Sequence, residues 1–108
     1  MQYKSIKQTD LRLKIYNKSF KGKVFKHFKG DYYKIIKFAL NCEDSQEILV
    51  IYKSLTFKED HRKGILWCRS EINFFGMVND GVGNLFPRFE LSSYWGYIND
   101  GFKSIFGL

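Results

Sequence analysis

Two stretches of alternating side chains, residues 33–40 and 47–55, lie on either side of the segment Asn41-Cys42-Glu43-Asp44-Ser45. A period of two is the pattern of a β-strand, because successive side chains point to opposite faces of the sheet. Asn, Asp and Ser are typical of turns, since their side chains bond to the nearby backbone. The chain is therefore predicted to form an antiparallel hairpin here, entered through a tight turn at Gly30-Asp31.

The alternation also predicts which side chains share a face of this hairpin. In the first strand, Ile36 and Phe38 are predicted on one face and Ile35 on the other. In the second strand both faces are largely apolar, which is typical of a strand inside a small barrel or sheet. One of those faces carries Ile48, Val50 and Tyr52.

The N-terminal segment alternates as well. Leu11, Leu13 and Ile15 alternate with Arg12, Lys14 and Tyr16. This pattern predicts a half-buried strand with a cationic outer face, whereas a helix would rest on Leu11 and Ile15 alone. We therefore expect residues 1–23 to be a basic extension that contains one strand.

Three further segments follow the hairpin. Residues 65–69 predict a strand, after which Ser70 would cap a helical turn. Residues 79–84, Asn-Asp-Gly-Val-Gly-Asn, are the strongest turn signal in the chain. Residues 85–91 predict a closing strand, which Pro87 would place at a sheet edge because proline cannot donate to the ladder.

Residues 92–108 form an aromatic tail. Gly96 and Asn99-Asp100-Gly101 favour a hairpin there, whereas four apolar residues at helical spacing predict a short C-terminal helix. These four are Trp95, Ile98, Phe102 and Ile105. In either form the tail would pack on the domain or on a second copy of the chain, so a homo-oligomer formed through residues 92–108 is one expectation.

These segments together predict a mostly β fold of about five or six short strands, arranged as a small barrel or a strongly bent sheet. A chain of 108 residues is the size of a single domain. Within residues 1–108 we expect a barrel core at 24–91, between the basic extension and the aromatic tail.

Positive charge is concentrated at the start of the chain. The formal net charge is +7, and eleven of the eighteen Lys and Arg lie in residues 1–37, opposed only by Asp10 and Asp31. Such a segment predicts an anionic partner, which could be a phosphorylated small molecule, a nucleic acid or an acidic protein. A solvated, lysine-rich face is the alternative interpretation.

The sequence predicts no enzyme, no metal site and no cofactor. His27 and His61 have no Cys or carboxylate partner in a recognisable motif, and Cys42 and Cys68 lack the spacing of metal ligands. Two cysteines are too few for a disulfide framework, so a cytoplasmic location with reduced thiols is expected. No apolar run approaches the roughly 20 residues that cross a bilayer, so no membrane partner is expected.

A mixture of rings and cations predicts a ligand-binding face. Aromatic side chains stack on nucleobases while Lys and Arg neutralise phosphate. The predicted ligand-binding residues are His27, Lys29, Tyr33, Tyr52, Lys53, Trp67, Arg69 and Arg88.

Each of these predictions has a purely structural alternative. Tyr52 and Trp67 could belong to the core, with the cations arranged around them. His27 could stabilise its turn, and Arg88 could pair with Glu71 or Glu90.

Four motifs of the chain share one order and spacing with a known family. They are His27-Phe28-Lys29-Gly30 followed by Tyr33, Glu47 to Leu55, Leu66-Trp67-Cys68-Arg69, and Pro87-Arg88-Phe89. On these residues the chain resembles a family of short bacterial proteins known as domain of unknown function 1653, over residues 24–91. The resemblance implies an SH3-like barrel and no assigned activity.

This chain departs from the family pattern at three positions. Lys53 stands where the family has Arg, Ser70 where it has Pro, and Asn73 where it has Met. A Lys cannot reproduce the bidentate fork of Arg, which would alter any ligand geometry built on that arginine.

Two functions from different classes follow from the sequence. The first is a non-catalytic module that binds or sequesters a nucleotide-type anion, either a signalling nucleotide or a stretch of nucleic acid. The second is a protein–protein interaction module, an adaptor or inhibitor that uses the aromatic tail as its contact surface. The family pattern does not extend to residues 1–23 and 92–108, which are predicted to carry this chain's particular role.

Overall fold

The computed structural model describes residues 2–55, 64–93 and 97–98, with the side chains of the first helix described from residue 8 onward. The elements in chain order are α1 (Gln2–Phe20), β1 (Val24–His27), β2 (Tyr32–Asn41), β3 (Asp44–Ser54), β4 (Leu66–Ser70), α2 (Glu71–Phe74), β5 (Met77–Asn79), β6 (Leu85–Pro87) and β7 (Phe89–Ser92). The prediction of a mostly β fold is confirmed.

The predicted N-terminal strand is wrong, because this segment forms the helix α1. The side chains that α1 turns towards the sheet are Thr9, Leu13, Tyr16 and Phe20. Their spacing of three to four residues is helical, and two of the four are aromatic. Leu11 and Ile15, which suggested a strand, are 59% and 54% exposed.

The main sheet has five antiparallel strands in the order β4-β3-β2-β1-β7. The predicted hairpin is confirmed as β2 and β3, whose paired residues include Phe38 with Val50. As predicted, Ile48, Val50 and Tyr52 share one face of β3, and all three are buried.

The predicted separation of Ile35 and Phe38 onto opposite faces is wrong. Both side chains are buried in the same core cluster. Ile35 pairs with Tyr52 and Lys37 with Ile51, so Ile36 is an extra residue in β2. This β-bulge shifts the alternation by one residue, bends the strand and lets both side chains reach the core.

Two polar side chains of helix α1 connect it to its neighbours, an amide to the sheet and a guanidinium to α2. Asn17 Oδ1 accepts a hydrogen bond from Phe38 N at 2.8 Å, and Asn17 Nδ2 donates to Phe38 O at 3.2 Å. The pairing of β1 with β2 ends at Lys34, so Asn17 forms hydrogen bonds with backbone groups of β2 that lie beyond the end of β1. Arg12 of α1 forms an ion pair with the buried Glu71 of α2.

Tyr16 packs its ring into the interface between α1 and the sheet. The ring stacks on Phe38 at 4.9 Å and on Phe75 at 5.7 Å between centroids. Burial raises the pKa of the Tyr16 hydroxyl, and its hydrogen bond to Glu71 adds to that increase. Among the described side chains of α1, the aromatic residues Tyr16 and Phe20 therefore serve mainly for packing.

The predicted closing strand is divided at Arg88. Residues before it form β6, which pairs with β5, and residues after it form β7, which pairs with β1. The predicted turn at residues 79–84 joins β5 to β6. Asp80 accepts hydrogen bonds from Val82 N at 2.8 Å and Asn84 Nδ2 at 2.7 Å, which lower the pKa of its carboxyl. Ser70 caps α2 as predicted, with its Oγ accepting from Asn73 N at 3.3 Å.

The strand order leaves β4 and β7 as the edges of the main sheet among the described residues. A short C-terminal helix was predicted in the tail, but residues 94–96 and 99–108 lie outside the described residues. No helix in the described part of the chain is long and apolar enough to cross a membrane.

Candidate functional site

One cleft is lined by side chains from all five strands of the main sheet. Its volume is about 310 Å³. The lining residues are His27, Lys29, Asp31, Tyr33, Tyr52, Trp67, Arg69 and Phe89. We call this feature the aromatic cleft.

A tight turn between β1 and β2 brings three of these residues to the cleft. His27 N donates to Asp31 O, and Gly30 N donates to His27 O, each at 2.8 Å. Gly30 has a φ of 104°, a conformation that a side chain would strain. The turn therefore places His27, Lys29 and Asp31 close together.

Phe89 lies at the centre of the rings that form the cleft wall. Tyr33, Tyr52 and His27 meet the Phe89 ring edge-on at 5.7, 5.5 and 4.9 Å. On the core side, Phe74 stacks on Phe89 at 4.1 Å with the ring planes 9° apart. Phe74 and Phe89 are both buried, so the wall of the cleft is an extension of the hydrophobic core.

Arg69 brings a guanidinium group to this wall. Its Nε donates to the Tyr52 hydroxyl at 3.2 Å, and its guanidinium carbon lies 5.8 Å from the centre of the Phe89 ring. Trp67 lies two residues before Arg69 on β4, and therefore on the same face. Trp67 is also directly paired with Tyr52 across β3 and β4.

His27 is held as a neutral ring among cations. Lys29 N donates to His27 Nδ1 at 3.2 Å, which leaves the proton of the neutral imidazole on Nε2. Burial and the nearby charges of Arg69, Lys29 and Arg88 lower the pKa of His27 below its ordinary value of 6.5, while Asp31 opposes this shift. His27 is therefore a neutral hydrogen-bond donor at pH 7.

The cleft combines flat apolar surfaces with donors of positive charge. Lys29 and Arg69 supply the cations, and Asp31 supplies one carboxylate. Arg88 adds a positive charge near His27. This arrangement can hold a planar ring against the aromatic wall and an anion beside the cations.

The segment that forms this cleft matches a known protein family. A family model described as "Protein of unknown function (DUF1653)" matches residues 23–91. The chain belongs to this family. The matched segment contains every residue that lines the aromatic cleft, whereas α1 precedes it.

A solved DUF1653 protein has a similar structure. The crystal structure of a DUF1653 protein from Bordetella bronchiseptica aligns with a TM-score of 0.54 and 26% sequence identity. The alignment covers 71% of this chain and 92% of that one. A comparison with curated proteins gave no match.

The structure brings together six of the eight residues that were predicted to bind a ligand. These are His27, Lys29, Tyr33, Tyr52, Trp67 and Arg69. Lys53 is exposed and follows Tyr52 directly on β3, so its side chain leaves the opposite face of the sheet. Arg88 Nε donates to Asn73 O at 3.1 Å, and Arg88 does not line the cleft.

The difference between Lys53 and the arginine of the DUF1653 pattern therefore leaves the lining of the cleft unchanged. Tyr52 belongs to the core, as the structural interpretation of the sequence predicts, and it also lines the aromatic cleft. It is a 4% exposed member of the core whose hydroxyl reaches the cleft and accepts from Arg69.

Two lining residues were missed in the sequence, namely Asp31 and Phe89. Asp31 was recognised only as part of a turn. Phe89 was recognised only as part of the Pro87-Arg88-Phe89 motif, and its pairing with His27 across β1 and β7 is a long-range contact. In the described ranges, no group of three or more His, Cys, Asp or Glu could hold a metal ion.

Proposed function

We propose that this DUF1653 protein is a non-catalytic binding module whose ligand is a nucleotide-type anion held in the aromatic cleft. The observation that carries the proposal is the position of Arg69, whose guanidinium lies over the Phe89 ring in a cleft walled by tyrosine, tryptophan and histidine. Rings and cations that are far apart in the sequence converge on this cleft.

Base stacking and hydrogen bonds to the cations of the aromatic cleft are each strong enough to contribute to ligand binding. Stacking of a base on an aromatic side chain contributes about 1–3 kcal/mol. A hydrogen bond to a charged group contributes roughly 1.5–3 kcal/mol. One stacked ring and one arginine–phosphate contact would together support binding in solution, whereas neither alone would be selective.

Two further proposals concern the fold and the setting. We propose that the main sheet curves into an SH3-like barrel, as the resemblance to DUF1653 implies, because the bulge at Ile36 bends β2. A cytoplasmic location is supported by Cys42 and Cys68, which are both free and exposed.

Trp67 provides a direct test of the binding site. The chain has two tryptophans, and replacing the other, Trp95→Phe, leaves Trp67 as the single reporter in the cleft. A mixed panel of mononucleotides, dinucleotides and short DNA and RNA would be titrated against its fluorescence over a salt series. We expect saturable quenching by a nucleotide-type ligand.

Two variants then locate the site. Arg69→Ala should reduce affinity at least tenfold, because it removes the guanidinium from the cleft. Lys53→Ala is the matched control, since it removes an exposed cation of the same sheet outside the cleft. Equal effects of both variants would exclude the aromatic cleft as the site. No quenching by any ligand would contradict the proposal and leave the protein-interaction function as the surviving hypothesis.

A further inference from the structure

A second cleft lies beside the aromatic cleft. Its volume is about 300 Å³, and it is lined by Lys26, His27, Phe28, Phe86, Pro87 and Glu90. We call it the Phe28 cleft. His27 belongs to the lining of both clefts.

The ring of His27 lies between the aromatic groups of the two clefts. Its centroid is 4.4 Å from that of Phe28 and 4.9 Å from that of Phe89. Lys29 also reaches both sides, because it lines the aromatic cleft while its Nζ lies 5.8 Å from the centre of the Phe28 ring. One imidazole therefore separates two ring-binding surfaces.

Each cleft is small for a complete ligand. Ligand pockets usually occupy about 300–1,000 Å³, so either cleft alone is at the lower limit. Two adjacent clefts of this size fit two ring systems better than one large group.

The two clefts repeat the same chemistry. The aromatic cleft has the carboxylate of Asp31 with Arg69 and its rings, and the Phe28 cleft has the carboxylate of Glu90 with Lys26 and the Phe28–Phe86 pair. Phe28 and Phe86 lie 5.4 Å apart, and Phe28 is 41% exposed, so its ring can accept a stacked group.

Carboxylates select one kind of base. They accept hydrogen bonds from the exocyclic amines of cytosine and adenine, whereas uracil and thymine have no such amine. A phosphate, in contrast, would be drawn to the part of the clefts where positive charge exceeds negative charge. Three cations, Lys29, Arg69 and Arg88, act on His27 against the single carboxylate of Asp31, and the ring carries its proton on Nε2. The site for a phosphate is therefore beside His27.

We infer that the ligand is a dinucleotide unit, with one amine-bearing base in each cleft and the connecting phosphodiester beside His27. This inference rests on the proposed function and adds a second base-binding site to it. The unit could be a free dinucleotide or two successive nucleotides of a single strand, which present the same chemistry.

Calorimetric titration of the full chain at fixed salt tests the inference with four probes: adenosine 5′-monophosphate, the dinucleotides ApA and UpU, and hexaadenylate. We expect ApA to bind at least tenfold more tightly than the mononucleotide, because it adds a stacked base. UpU should bind more weakly than ApA, since it lacks exocyclic amines. Binding of hexaadenylate as tight as that of ApA would identify a single strand as the source of the ligand. Binding of ApA without binding of hexaadenylate would identify a free dinucleotide.

Variants separate the two clefts. Phe28→Ala should remove the tenfold advantage of ApA, because it removes the stacking ring. Glu90→Gln should reduce the preference for ApA over UpU, because it removes the carboxylate. Both variants should leave the affinity for the mononucleotide unchanged, which also shows that they are folded. Arg69→Ala should weaken both ligands. If the mononucleotide binds but ApA gains nothing, or if Phe28→Ala leaves that gain intact, the second site is excluded and the proposed function stands. If neither probe binds, the proposed function fails together with the inference.

Discussion

Arg69 of β4 donates a hydrogen bond from its Nε to the hydroxyl oxygen of Tyr52 on β3, at 3.2 Å. Tyr52 is buried in the core, whereas Arg69 is half-buried at the cleft. This bond uses one donor of the guanidinium and leaves the two terminal nitrogens to form a fork towards an anion. The packing of the core therefore determines where the positive charge of the cleft lies.

Replacement of Tyr52 by Phe should lower ligand affinity. The change removes the oxygen that accepts from Arg69 and leaves the ring contacts with Phe89 and Phe74 in place. Since a net hydrogen bond contributes about 0.5–1.5 kcal/mol, we expect a loss of affinity of roughly two- to tenfold by calorimetry. Tyr16→Phe is the same chemical change outside the cleft and should leave affinity unaltered. An equal loss in both variants would contradict a role for Tyr52 in positioning Arg69.

The stability of the protein should depend on pH through His27. The folded-state pKa of His27 is lowered below 6.5, so the unfolded chain takes up a proton before the folded one as pH falls. The free energy of unfolding should therefore fall as pH decreases from 6.5 to the lowered pKa, and level off below it. Urea unfolding between pH 5 and 8 would be measured in the His61→Gln background, where His27 is the only histidine. Adding His27→Gln should flatten this part of the curve, and an unchanged slope would refute the assignment.

Ligand affinity should depend on pH in the opposite sense. Burial and the charges of Arg69, Lys29 and Arg88 lower the pKa of His27, against the opposing effect of Asp31. A phosphodiester beside His27 would favour the protonated ring and so raise this pKa in the complex. Binding of ApA should therefore strengthen as pH falls from 7.5 towards 6 and be accompanied by proton uptake. Titrations in buffers of different ionisation enthalpy measure that uptake. His27→Gln should abolish it, and uptake that persists in this variant would place the proton elsewhere.

The Arg12–Glu71 ion pair should stabilise the position of α1. Arg12→Ala would leave the buried carboxylate of Glu71 without its cation, and we expect a loss of about 1–3 kcal/mol in the free energy of unfolding. Lys14→Ala removes an exposed cation of the same helix and should change stability by less than about 0.5 kcal/mol. In a Glu71→Gln background the cost of Arg12→Ala should shrink. An undiminished cost would show that the ion pair is not its cause.

The Asn17 amide should protect the backbone of Phe38, in the part of β2 that β1 does not reach. Asn17→Ala removes both partners of the Phe38 backbone, and an unsatisfied, part-buried peptide group costs about 1–3 kcal/mol. Hydrogen exchange at the Phe38 amide should accelerate in this variant more than at neighbouring residues of β2. Ser19→Ala, an exposed polar change on the same helix, is the control. Equal exchange of the Phe38 amide in both variants would contradict this role for Asn17.

The strands of the main hairpin could be predicted from sequence because their pattern is local. Alternation identified β2 and β3, and the turn between them followed from its residue types. The bulge at Ile36 could not be predicted, since it is a property of the pairing of two strands. Helix α1 was mistaken for a strand because Tyr16 was assigned to the outer face of the alternating pattern and Phe20 was left out of it, whereas both pack against the core.

The aromatic cleft could be predicted from sequence only in part. Trp67 and Arg69 are two residues apart on a strand, so their common face followed from the sequence. Lys53 could have been assigned to the opposite face from Tyr52 by the same rule. Phe89 could not be placed, because only the pairing of β7 with β1 brings it to His27.

That pairing of β1 with β7 also has a consequence for how the protein folds. The hairpin of β2 and β3 joins residues close in sequence, whereas His27 and Phe89 lie near opposite ends of the family segment. Closing a long loop costs conformational entropy before the new contact contributes any stabilisation, so contacts of this kind form late in folding. The aromatic cleft is thus expected to be completed only as β7 docks on β1, and a nascent or partly folded chain would be unable to bind the proposed ligand.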